Sequence, residues 1–300
     1  MIEKVANFCK NFLDWFKSDR CFMSYFIKGF PFANNLLLIT LGLFMATFNT
    51  LYFGVSMQYG VNILIITLVL ALLSSAIASG FCYIVKTSIE QKDSDKDFNK
   101  FNIRTTFDIF YTGVGKHYLS FLGGFVLFFI ILIVSMMLAL LFANKFICPL
   151  SSMGLDIDTL QLVLSNQDAL NTFASQMTKS QIFHLLELFY ITNIITPGIV
   201  AFMLMLWVPE FMYSGKNVFV ALFTSIKKLF SDFWNALCIY IIIMLGHFIV
   251  ALICALFPQT SIMLYVGSLI FIYWMIYNIY TVFLYYKSKY VDTNEREWIA

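Results

Sequence analysis

Charge is scarce in this chain. Of its 300 residues, 12% are Asp, Glu, Lys or Arg and 60% are hydrophobic, where a soluble domain carries roughly 25% charged residues. So little polar surface cannot cover one or two water-soluble domains of this length. Proline occurs five times and leaves long apolar runs intact. Phosphate-binding G-x-x-x-x-G-K, H-E-x-x-H and G-x-S-x-G signatures are missing, so neither an enzyme nor a cofactor or metal is expected. The six cysteines, Cys9, Cys21, Cys82, Cys148, Cys238 and Cys254, include no C-x-x-C pair. Cys148 alone falls in a segment expected outside the cytoplasm, which leaves a structural disulfide there without an evident partner. A net charge of +2 with no compact basic stripe excludes a nucleic-acid footprint. Charges and aromatics alternate from Glu3 to Lys28, which argues against a cleavable signal peptide.

What remains is six apolar stretches, about Phe32–Val55, Val61–Val85, Leu119–Ala143, Leu186–Val208, Trp234–Phe257 and Ile262–Tyr286. A helix rises about 1.5 Å per residue, so each stretch is long enough to cross a hydrocarbon core of about 30 Å. Transmembrane strands alternate in polarity, and these stretches do not. The expected fold class is an all-α membrane protein of six transmembrane helices forming a single integral domain over 1–300. Seventeen of the nineteen Lys and Arg residues lie in the amino-terminal segment 1–31, the link 87–118 with its flanking Lys86, the link between spans four and five, and the tail 287–300. The other connections hold only Lys145 and Lys179. By the positive-inside rule both termini are cytoplasmic.

The cytoplasmic segments carry helical periodicity of their own. Apolar residues recur at Val5, Phe8, Phe12, Trp15 and Phe16, then at Phe107, Phe110, Tyr111 and Val114, then at Val218, Leu222, Ile226, Leu229 and Phe230. Three amphipathic helices at the cytoplasmic interface are expected, the alternative being lead-in turns of the spans that follow. The order surface helix, span, span then occurs three times. Duplication and convergence on a common membrane pattern read alike at this level. Residues 144–185 break the repeat as an extracytoplasmic helical insertion, with a second helix starting near Thr178 and running into the fourth span.

Few residues suggest chemistry. His247 is the ionisable group nearest the middle of a span, with no second His, Cys or acid one turn away; it reads as a proton-sensitive group or, more simply, as a hydrogen-bonded core histidine. His184 and Glu187 lie within one turn of each other near the outer end of the fourth span, a spacing that suits a shared proton or metal ion and equally an interfacial pair without function. Pro197 kinks that span, Pro209 ends it, and Asn193 is a polar residue of the kind that joins helices.

The segment Trp207-Val208-Pro209, then Phe219-Val220-Ala221-Leu222-Phe223-Thr224-Ser225 and on to Trp234 resembles the YciC-like bacterial inner-membrane proteins. Ala221, Leu222 and Ser225 match that family's surface-helix motif, and Tyr280, Tyr285 and Tyr286 match its Tyr-rich final span; Gly267 is present, but the family's nearby Pro is not. The resemblance implies architecture and a bacterial inner-membrane location, and no activity. A non-enzymatic role in membrane organisation, lipid homeostasis or partner assembly is expected, with anionic lipid head groups and other membrane proteins as partners. The alternative is a transporter or channel component for a small or lipid-like solute, which requires a polar cavity near Pro197, Asn193 and His247.

Overall fold

The computed structural model describes residues 24–26, 28–29, 63–93, 103–147, 149, 178–256 and 261–292. The first apolar stretch, the amino-terminal periodic segment and most of the 144–185 insertion lie outside them. The described residues are almost entirely helical, with no strand among them. Five of the described helical segments are long and apolar enough to cross a membrane: Ala71–Gln91, Arg104–Phe146, Lys179–Ser214, Phe233–Cys254 and Leu269–Val291.

In chain order the helices are α1 (Ile63–Asp93), α2 (Ile103–Phe146), α3 (Lys179–Tyr190), α4 (Thr196–Leu204), α5 (Trp207–Ser214), α6 (Val218–Ser231), α7 (Phe233–Leu256) and α8 (Ser261–Tyr286). A π-helical segment, Ile191–Ile195, joins α3 to α4, and another, Lys287–Val291, extends α8. The chain divides into two compact units, Val126–Met203 and the remainder.

The residues Phe107 to Val114, expected as a separate surface helix, are the first turns of the 44-residue α2. Polarity changes there while the helical period does not. Water and lipid solvate the side chains of one continuous helix differently without breaking its backbone ladder. The sequence around Val218, by contrast, forms a helix of its own, with a turn residue, Asp232, before α7.

Within Val126–Met203, Thr178 and Gln181 form a capping box that starts α3, as the sequence leads one to expect. Pro197 cannot donate to the carbonyl four residues back. The preceding turn widens instead: the backbone N–H of Thr196 bonds Ile191 O, and the Thr196 hydroxyl donates to the same carbonyl at 2.7 Å. Pro209 does not terminate a span. The helix breaks at residues 205–206, and Pro209 lies in the first turn of α5, where a missing N–H leaves no helix bond unmade.

In the other unit, α8 is the central element. Ile272, Ile276, Tyr280, Thr281, Phe283, Tyr285 and Tyr286 are all buried, most of them toward its carboxyl-terminal end. The helical residues 24–26 and 28–29 pack on it, with Tyr25 edge-on to Tyr285 and the Tyr277 hydroxyl donating to Phe26 O at 2.6 Å. Helices α1 and α2 approach closely at Gly80 and Gly113: a Cβ on Gly113 would lie 3.1 Å from Gly80 Cα, and the Phe110 ring covers Gly80.

Candidate functional site

The described residues with the densest polar chemistry gather where α5, α6 and the end of α8 meet. Gly215, with φ +64°, takes the left-handed conformation that stops α5, and its N–H bonds Phe211 O at 3.2 Å. Two residues later the Asn217 side chain accepts from Phe219 N and caps α6. The Trp207 indole N–H donates to Val218 O at 3.0 Å and closes this helical hairpin from within.

Glu210, on the inner side of the hairpin, is fully buried. Its Oε2 accepts from the Tyr286 hydroxyl and lies 2.7 Å from Lys228 Nζ. Lys228 Nζ also donates to the Tyr286 hydroxyl oxygen at 2.6 Å and sits over the rings of Tyr286 and Tyr290, 4.7 and 5.2 Å from their centroids. The Tyr290 hydroxyl donates to Lys228 O, which ties the lysine's backbone to the same helix end. Glu210 Oε1 makes no hydrogen bond among the described residues and faces Lys216 Nζ at 3.6 Å. Tyr286 and Lys228 thus converge on Oε2, which accepts from both.

The cluster continues on both flanks. Tyr213 stacks on Tyr286 with centroids 5.7 Å apart. Lys86, from α1, lies over the Tyr213 ring and donates to Met212 O at 2.9 Å, a cation on the carboxyl-terminal carbonyls of α5. Asp232, between α6 and α7, accepts from the Tyr285 hydroxyl at 2.7 Å and from Asn235 Nδ2 at 2.8 Å, with Lys289 Nζ 3.4 Å away. Lys228 and Lys216 both face the buried carboxylate of Glu210, and Lys86, which has Glu90 at 3.8 Å, borders the cluster at Tyr213. The cluster's chemistry is that of a helix clamp, with lysines and tyrosine hydroxyls closing on the carboxylates of Glu210 and Asp232.

The residues singled out in the sequence lie elsewhere. His184 Nδ1 and Glu187 Oε2 do meet, 3.2 Å apart on α3, both partly exposed. Asn193 Nδ2 donates to Thr192 Oγ1 at 2.9 Å and reaches back to Phe189 O, and Thr192 Oγ1 donates to Leu188 O, so this polar pair ahead of Pro197 is turned onto its own helix. His247 belongs to the other unit. Its Nδ1 lies 2.8 Å from Ile243 O as a donor, its Nε2 3.2 Å from Met275 Sδ, and Trp274 and Phe271 pack edge-on against the ring. Among the described residues no three His, Cys, Asp or Glu side chains group to hold a metal ion.

Sequence reasoning passed over Glu210, Lys216, Lys228 and Asp232 as constituents of a site. The available signal was one acid, Glu210, set between apolar residues on both sides. Such an acid requires a cationic partner, but nothing local names Tyr286, 76 positions away. No family model, curated protein or solved structure matches the chain.

Proposed function

We propose that the chain is a non-enzymatic integral protein of the bacterial inner membrane, with both termini in the cytoplasm. It works at the cytoplasmic leaflet, in membrane organisation or lipid homeostasis, by holding anionic lipid head groups and neighbouring membrane proteins. One observation supports this above all. Helix α6 buries Val218, Ala221, Leu222, Ser225 and Leu229, yet leaves Phe219, Val220, Phe223 and Phe230 more than half exposed, with Trp234 following. Its 14 residues reach about 21 Å, too short to cross a bilayer. Such a row of aromatics beside Lys227 and Lys228 suits the acyl–headgroup boundary of an anionic leaflet.

The test is a nitroxide label at position 223 (Phe223→Cys) in the full-length protein, reconstituted in nanodiscs of phosphatidylcholine with or without phosphatidylglycerol. The label should be accessible to oxygen and shielded from a water-soluble nickel chelate, and anionic lipid should be enriched around the protein. A label in bulk water together with no lipid preference would sink the reading. So would unchanged lipid composition, envelope integrity and membrane-protein partners in cells lacking the protein.

A further inference from the structure

The geometry points to a phosphate-anion site on the face shared by α1 and α2, formed by Tyr83, Lys116 and His117 with Lys86 at its edge. The expected occupant is the phosphodiester of an anionic phospholipid. This occupant rests on the placement of that end of the helices in the cytoplasmic leaflet.

The parts are fixed before any ligand arrives. Tyr83 is held by its own Cβ, which lies against the backbone of Gly113 where no side chain fits between. One turn on, Lys116 Nζ is 5.5 Å above the Tyr83 ring and 3.4 Å from its hydroxyl, while the His117 ring packs 5.6 Å from the same ring. His117 also lies in the electrostatic field of both Lys86 and Lys116.

Around Glu210 and Asp232 each of Lys216, Lys228 and Lys289 faces a carboxylate. Lys86 has Glu90 at 3.8 Å, but Lys116 has no carboxylate within ion-pair distance among the described residues. Its bond to Tyr83 is long and places the phenol oxygen as acceptor, which leaves the Tyr83 O–H free to donate. The Lys116 side chain is exposed, and those of Tyr83 and His117 are half-buried. An ammonium, a phenol O–H and an imidazole N–H converging on an open site are all donors. A tetrahedral oxyanion satisfies them, and among the described residues no carboxylate lies within ion-pair distance of Lys116.

Full-length protein in nanodiscs tests this by the rate of amine acylation at Lys116, read by peptide mass spectrometry with exposed Lys179, at the start of α3, as the reference. Added phosphatidylglycerol should slow acylation of Lys116 about fivefold relative to Lys179, the effect of one lysine–headgroup pairing. Tyr83→Phe should cut that protection by about two- to fivefold, and His117→Gln, which leaves the helix crossing untouched, should cut it as well. Inorganic phosphate, added to phosphatidylcholine nanodiscs, distinguishes the source: protection by phosphate with none by the lipid assigns the site to a soluble phosphate. No slowing in either arm, or equal slowing at Lys179, overturns the proposal. A position-223 label lying in the leaflet alongside an unprotected Lys116 sinks this site and leaves the proposed function standing. A label in water sinks that reading while the phosphate arm still decides the site.

Discussion

Lys228 Nζ holds Glu210 Oε2 at 2.7 Å inside the α5–α6 hairpin, and Tyr286 of α8 donates to the same oxygen. A carboxylate with no exposed surface loses its hydration on folding, and only these partners replace it. Glu210→Ala leaves the lysine and the phenol without their acceptor, which costs about 3–5 kcal/mol for a buried pair broken on one side. Glu210→Gln retains an acceptor for Tyr286 and should cost less. The double variant Glu210→Ala/Lys228→Met removes both charges and should recover part of the loss. Thermal unfolding of the three variants in one detergent gives the order; a Glu210→Ala protein as stable as the parent would mean that the clamp contributes nothing.

The Trp274 indole packs against Gly246, and a Cβ at that position would overlap the ring atom Cζ2. The glycine is what lets α7 and α8 approach along this stretch, beside the His247 ring. Gly246→Ala must push the indole aside or part the helices, at about 1–3 kcal/mol for overpacking. Tryptophan emission should shift as Trp274 moves, and the unfolding temperature should fall. A spectrum and midpoint identical to the parent's would show that the ring relocates at no cost.

The spans are legible in the sequence because lipid solvation imposes composition, and composition needs no knowledge of neighbours. Thr178 is legible for a related reason: its partner Gln181 is three residues away, and a capping box is a local bond. Misreadings arise where one local signal has two physical causes. At Phe107 to Val114 the change from polar to apolar marks a change of solvent around α2 rather than a helix end. At Pro209 the missing N–H reads as a terminus, although the first turn of a helix tolerates it as well. The Glu210 cluster was not legible because its bonds join α5, α6 and α8. The same Lys86, Lys216 and Lys228 that orient the chain by their number also hold its helix ends, and counting them does not reveal which carboxylate or ring each one meets.

The capping box offers a local test in the smaller unit. Thr178 Oγ1 accepts from Gln181 N at 3.3 Å, and Gln181 Oε1 accepts from Thr178 N at 2.9 Å. Thr178→Ala removes the first of these and should destabilise the start of α3 by about 0.5–2 kcal/mol. Amide hydrogen exchange should quicken over residues 179–182 and remain unchanged beyond Pro197. Asn at the same position should restore protection, since its side chain caps as well; failure of both variants to alter exchange would show that the cap is idle.

The close approach of α1 to α2 supplies the sharpest contrast between equivalent substitutions on one helix. Gly113 faces backbone: a new Cβ would lie 3.1 Å from Gly80 Cα as well as against Tyr83, and backbone atoms have no rotamer by which to yield. Gly123, ten residues further along α2, meets nothing within 4 Å. Gly123→Ala should therefore be neutral or stabilise the helix by up to about 1 kcal/mol through propensity alone. Gly113→Ala should cost about 1–3 kcal/mol and displace Tyr83 from beneath Lys116. The two variants, unfolded side by side in the same detergent, should move the midpoint in opposite directions or leave Gly123→Ala at the parent's value. A loss of equal size at both positions would mean that glycine content, rather than this crossing, sets the stability of α2.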